Sequence, residues 1–323
     1  MGGRLYGLDA LRGIAAVAVA LHHFARIYHL PLPPLSPSIA VDLFFILSGF
    51  VMTRTYEARL HHDLTTIGFL GLRYRRLFMP LAVGSTIGLA LALAKYGPSI
   101  QLASDYLLIL CFLPALEVKA FRMNGPAWSL FVEILCNVLH GLIFSKISNT
   151  ALLVLAVTSG LLSIFCVTTD LAVWTPSITS IIWLIPRDLA CYLVGIWMFR
   201  RFGDEPLGNR PGWAVAAFVV ALGLASINLP LEFAVLIACP FIIRASLGLQ
   251  RMQWAIWAGS LSYPLYATHV PVMQASRDFA LHPLTALVLA TATAIAVTLV
   301  FETKRRSKSR RPAGDPMPIP RPL

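Results

Sequence analysis

Histidines 22 and 23 lie inside the first apolar stretch of the chain, LDALRGIAAVAVALHHF, and Arg12 stands eleven residues before His23. Ionisable groups are costly to hold inside an apolar span, so by default they mark a functional site. Eleven residues is about three helical turns, which puts Arg12 and His23 on one helix face, about 16 Å apart along the axis. His22 is rotated about 100° from His23 and reads as its neighbour rather than a second catalyst. Asp42, Glu133 and His269 recur inside later apolar stretches. An imidazole near a carboxylate is the usual layout for general base catalysis. The carboxylate fixes the tautomer and stabilises the cation while the imidazole takes a hydroxyl proton. Asp42 is the better candidate to orient His23, because the loop joining their segments is short, and Glu133 is the next. The plain alternative is a histidine that only hydrogen-bonds a backbone carbonyl.

A second group is cationic. Arg73 and Arg76, in FLGLRYRRLFMP, are spaced i,i+3 at the expected mouth of the third span. They can present guanidinium groups to phosphates from one face, although positive-inside anchoring alone would also place arginines there. Ser129 with Glu133, and Tyr266 with His269, share helix faces at i,i+4 and i,i+3. These pairs suit either substrate contact or interhelical hydrogen bonding. Gly49 lies on the Asp42 face and suits close helix packing. Arg187 and Asp188 suit either pairing with other buried groups or lining a cavity.

The elements that must position these residues are membrane spans. Of 323 residues, 57% are hydrophobic and only 13% charged, about half the charged fraction of a soluble domain. Stretches long enough to cross about 30 Å of hydrocarbon fall near 8–29, 39–57, 76–96, 127–146, 150–169, 178–200, 211–229, 231–249, 254–275 and 284–302. The piece 104–116 is short and reads as re-entrant or interfacial. The expected fold is therefore all-α, a polytopic transmembrane helix bundle of about ten spans with both termini on one side. Basic residues between alternate spans (Arg54, Arg59, Arg73, Arg75, Arg76, Lys146, Arg200, Arg201, Arg210, Arg244, Arg251) and after the last span put that side in the cytoplasm. Arg26, Lys95, Lys119, Arg122 and Arg277 run against the pattern.

The net charge of +11 lies between spans and in the tail, so nucleic acid is not an expected partner. The first span lacks a small-residue cleavage site and reads as retained, and Tyr6 argues against myristoylation at Gly2. Cys111, Cys136, Cys166, Cys191 and Cys239 show no metal-ligand spacing and read as small apolar side chains. No metal is expected; His61 and His62 read as solvated, and His29 and His282 as interfacial. Residues 304–323 read as a basic, proline-rich, disordered cytoplasmic tail after a single membrane domain, 1–303. With inner-to-outer alternation, His23, Asp42, Glu133 and His269 fall in one layer toward the outer half of the membrane.

Together these segments resemble the acyltransferase-3 family of bacterial integral-membrane acyltransferases. LDALRGIAAVAVALHHF is similar to its first-span motif, with His23 as the matching histidine, and VDLFFILSGFVMTR to its second-span motif, carrying Asp42, Ser48 and Gly49. Arg73 and Arg76 resemble its R-x-x-R pair, NGPAWSLFVEIL its W-S-L-x-x-E element, and LSYPLYATH a late motif. The arginine pair stands one residue further from Pro80 than in the commonest pattern, and Ile134 replaces a frequent second carboxylate.

The resemblance implies transfer of an acyl group, often acetyl, from cytoplasmic acyl-CoA to a hydroxyl of a carbohydrate or glycoconjugate. The enzyme would be a multi-pass protein of the bacterial cytoplasmic (inner) membrane. His23 would be catalytic, as general base or transient acyl carrier, supported by Asp42 and Glu133. Arg12, Arg73 and Arg76 would hold coenzyme A, and Trp128, Ser129, Tyr266 and His269 would contact substrate. Two other readings compete. A proton-coupled transporter or flippase of a glycan or lipid-linked precursor would use the same buried groups, but commonly shows internal repeats, and none is evident. A non-catalytic scaffold would be expected to have lost His23 or the arginines.

Overall fold

In the computed structural model the described residues are 3–115, 120–169 and 177–309. Among them every regular element is helical. Helix α1 spans Tyr6–Ile27 and α2 spans Pro37–Met52. A π-helical turn, Thr53–Glu57, carries α2 into the short α3, Ala58–His62. Then come α4 (Thr66–Tyr96), α5 (Ile100–Leu110) and α6 (Ala127–Leu142), the last ending in a 3-10 turn. The chain continues through α7 (Asn149–Thr168), α8 (Ile178–Phe202), α9 (Pro211–Ala225), α10 (Leu229–Ser246), α11 (Gln253–Asp278) and α12 (Pro283–Ser309).

Local sequence sets several helix starts. Ser36, Thr65, Ser99, Ser148 and Asn228 each accept a hydrogen bond from the backbone N–H three residues on, satisfying an otherwise unpaired donor. Pro37 and Pro211 occupy first-turn positions, where a missing N–H costs nothing. Eight of the helical segments are long and apolar enough to cross a membrane. Ten spans are expected from the sequence; of the remaining helices α9 has 15 residues and α5 eleven, both short, and α11 is long but more polar. Large apolar side chains such as Leu161, Phe165, Val220, Ile237, Phe241 and Val288 face outward on α7, α9, α10 and α12. A surface so apolar suits lipid rather than water.

Helix α1 packs most extensively on α11, α2 on α8, and α4 and α12 also lie on α11. Two backbones approach closely where α2 crosses α8. A Cβ on Gly49 would collide with the Tyr192 carbonyl, and one on Gly195 with the Ile46 carbonyl. Gly49 is thus a packing glycine, as small residues at interhelical crossings generally are.

The largest departure from the expected spans is at α4. It begins at Thr66, ten residues before the expected start at 76, so Arg73 and Arg76 lie on its second and third turns, Arg73 buried and Arg76 exposed. Thr65 caps this start, and Arg73 finds a partner in Glu133. Residues 310–323 of the expected tail lie outside the described residues, and α12 extends to Ser309.

Helix α11 contains Pro264 and Pro271. A proline donates no N–H to the carbonyl four residues back, so Pro271 leaves the Ala267 carbonyl without its helical partner. The Asn124 side-chain amide donates to that oxygen at 2.8 Å. Replacing Asn124 by leucine leaves a buried carbonyl unpaired, and a loss of about 1–3 kcal/mol is expected. Thermal unfolding in detergent micelles checks it; an unchanged midpoint would mean that the carbonyl is satisfied otherwise.

Candidate functional site

A cavity of about 120 Å³ lies between α1, α2, α4, α6 and α11. Arg12, Arg73 and Arg76 line it, together with Ser48, Ser129, Glu133, Tyr263 and Tyr266 and an apolar wall that includes Phe44, Phe45 and Met52. Glu133 is ion-paired to Arg73 and accepts a hydrogen bond from Ser48 Oγ at 3.4 Å. Among the described residues Arg12 and Arg76 have no carboxylate within salt-bridge distance, and the nearby Asp9 is paired with Arg4. The cavity therefore carries three guanidinium groups against one carboxylate. Its chemistry suits an anion with several oxygens, because guanidinium groups bind such ligands with paired N–H donors. The Arg73 Nε atom is buried with no partner of its own.

Tyr266 closes the cavity on one side. Its hydroxyl donates to Ser129 Oγ at 2.7 Å, and Ser129 Oγ donates to the Pro126 carbonyl at 3.1 Å. The Tyr266 ring lies edge-on to Phe44 and 6.1 Å from the ring of His269, centroid to centroid. Beyond it stands a histidine pair. His269 Nε2 is 3.3 Å from His23 Nδ1, and the rings are 5.1 Å apart, edge to face. His22 presents an edge to His23 at 5.8 Å. Trp128 does not line the cavity; it packs partly buried against the apolar core.

The expected carboxylate partner of His23 is not in place. Among the described residues no carboxylate hydrogen-bonds its ring. Asp42, 1% exposed, is held by Arg187 of α8: Arg187 Nε donates to both its oxygens at 2.9 and 3.1 Å. Arg187 Nη2 donates to Asp42 and to Glu232 of α10, each at 2.5 Å. One guanidinium thus ties α2, α8 and α10 together. Glu133 pairs with Arg73 rather than with His23. The single layer of four acid–base groups divides accordingly into an arginine–glutamate cavity, a histidine pair and a buried ion cluster.

Arg187 therefore takes the pairing role and Asp188 neither pairs nor lines the cavity; its Oδ2 is buried without a partner. Sequence reasoning missed Glu232, whose signal was a lone acid entering an apolar span. It also missed His140, which is fully buried on α6. His140 Nδ1 meets the Tyr192 hydroxyl at 3.1 Å, and its Nε2 lies 3.8 Å from Glu57 on the π-helical turn. Arg200 donates to the same Glu57 at 2.7 Å. His29, His61, His62 and His282 are exposed, and no metal-holding cluster occurs among the described residues.

A bundle of membrane-crossing helices that encloses an anion-suited cavity beside a buried histidine pair describes an integral-membrane protein equipped for group transfer. The chain belongs to the acyltransferase-3 family: the family model, described as an acyltransferase domain, matches residues 5–303. It is a membrane acyltransferase. Protein 2 in the picA locus of Rhizobium radiobacter is 31% identical to it over 154 residues, covering 41% of this chain and 78% of that protein. No solved structure matches the chain.

Proposed function

We propose that the protein is an acyl-CoA-dependent O-acyltransferase of the bacterial inner membrane. It would move an acetyl group from cytoplasmic acetyl-CoA to a hydroxyl of a carbohydrate or glycoconjugate. The observation that carries this reading is the cavity in which Arg12 and Arg76 lack carboxylate partners, Arg12 standing on the helix that also bears His23. Coenzyme A supplies the phosphates such a cavity suits. Its pantetheine arm is long enough to cover the roughly 16 Å from Arg12 to the histidine level.

In this reading an acceptor hydroxyl approaches His23 and gives its proton to the imidazole. The oxygen attacks the thioester carbonyl, a C–O bond forms, the C–S bond breaks, and the imidazolium returns the proton to the departing thiolate. Ser129 and Tyr266 stand on the cavity wall, with the Tyr266 ring 6.1 Å from that of His269.

Arg12 and Arg76 make the cleanest test, because removing either strands no carboxylate. For Arg12→Gln/Arg76→Gln the expected result is acetyl-CoA affinity weakened roughly 10- to 100-fold, from the loss of charge-assisted hydrogen bonds. Calorimetry on folded protein in micelles measures it. Unchanged affinity in the variant counts against the cavity as the donor site. A folded wild-type protein that neither binds acetyl-CoA nor releases CoA would favour the transporter reading instead.

A further inference from the structure

Two backbone carbonyls and the facing rings together set where the protons sit on the histidine pair. A carbonyl oxygen only accepts, so any ring nitrogen bonded to it must carry a hydrogen. His23 Nδ1 lies 3.0 Å from the Val19 carbonyl, and His269 Nδ1 lies 2.9 Å from the Leu265 carbonyl. Both neutral rings are therefore Nδ1–H tautomers, and both Nε2 atoms carry lone pairs. The lone pair of His269 Nε2 is directed at His23 Nδ1, 3.3 Å away. The Nδ1–H of His23 is thus shared between Val19 O and His269 Nε2. His23 Nε2 has no partner among the described residues, and His23 keeps part of its surface open while His269 is fully buried.

We propose that His269 is a positioning residue: a neutral imidazole that locks His23 as its Nδ1–H tautomer and takes the place of the carboxylate in a conventional histidine–carboxylate pair. Its consequence for catalysis rests on the transferase reading above; the tautomer assignment does not. The ring nitrogen that reacts is set by the hydrogen bond the other one makes. Here that leaves Nε2 as the base. When Nε2 takes the acceptor proton, the cation remains hydrogen-bonded through Nδ1–H to a neutral acceptor. An ionised carboxylate in that position would demand a buried counter-charge. The three buried or half-buried acids nearby are spent otherwise or stand apart: Glu133 on Arg73, Asp42 on Arg187, and Asp188 without contact to the pair.

The fold is arranged to hold this geometry. The Leu265 carbonyl fixes His269 from within α11. Asn124 secures Ala267 in the same turn, and the α1–α11 contact brings His23 opposite.

Full-length protein with 15N-labelled histidine, in lipid nanodiscs, provides the test. Protonated and bare ring nitrogens resonate in separate regions, and the His23 signals are identified by their disappearance in His23→Gln. The expected wild-type spectrum shows His23 with Nδ1 protonated and Nε2 bare. In His269→Phe, which keeps the ring volume but has no acceptor, a population with Nε2 protonated is expected, and turnover of acetyl-CoA should fall about 10- to 100-fold at unchanged KM. His269→Gln, whose amide oxygen reaches the same place, should restore most of both. A wild-type His23 protonated on Nε2 overturns the proposal. So does a His269→Phe spectrum identical to wild type. If the spectra are as expected but wild-type protein releases no CoA with any membrane-extract acceptor, the histidine lock stands and the transferase reading fails.

Discussion

His23→Ala is expected to abolish acceptor-dependent CoA release while leaving acetyl-CoA binding intact. The two halves of that result follow from separate parts of the structure. His23 is absent from the cavity that holds Arg12, Arg73 and Arg76, so the donor phosphates keep their partners when the imidazole is gone. The ring itself is paired with His269 and part-exposed, and its Nε2 has no partner among the described residues, so the reading above makes it the base for an incoming hydroxyl. A positioned general base is worth roughly 10²–10⁴-fold, and a loss of that size takes release toward background. His22→Ala is the matched control: its ring stands at 86° to His23 and makes no contact with His269, so turnover should change less than about threefold. Release of CoA measured with a thiol reagent, alongside binding by calorimetry, separates the outcomes. Near-wild-type release by His23→Ala would remove His23 from the chemistry.

Arg187→Leu should be the most destabilising single substitution in the bundle. It would leave Asp42 and Glu232 buried without their shared cation, and breaking a buried pair in this way costs about 3–5 kcal/mol. Asp42→Asn should cost less, because Arg187 keeps Glu232. Replacing all three by leucine removes the charges together and should recover much of the loss, as buried ion clusters commonly do when exchanged for apolar groups. The triple variant also settles what Asp42 is for. If the cluster only ties α2, α8 and α10 together, the folded triple variant keeps its transfer rate. Loss of transfer in a folded triple variant would mean that Asp42 acts on the reacting groups. Thermal unfolding and CoA release, measured on the same preparations, give both answers.

Most of the architecture was legible in the chain itself. Hydrocarbon thickness dictates span length, so apolar runs of about twenty residues located the helices, and cap residues marked several starts. The short 104–116 piece emerged as the eleven-residue α5, and Gly49 as a packing glycine at the α2–α8 crossing. The family and its acyltransferase class were also readable, because five motifs fall in order along residues 8–269. What the sequence could not decide was pairing. Depth arithmetic treats each helix as a separate ruler, so it placed His23, Asp42, Glu133 and His269 in one layer without saying which would touch. Partner choice depends on helix rotation and on where each helix begins, and both are set by packing. The contact of α4 with α6 brought Arg73 to Glu133. The glycine crossing of α2 and α8 drew Asp42 to Arg187. His23 was left to face another histidine, because α1 packs extensively on α11 and only tertiary contact brings residues 246 positions apart within hydrogen-bond reach.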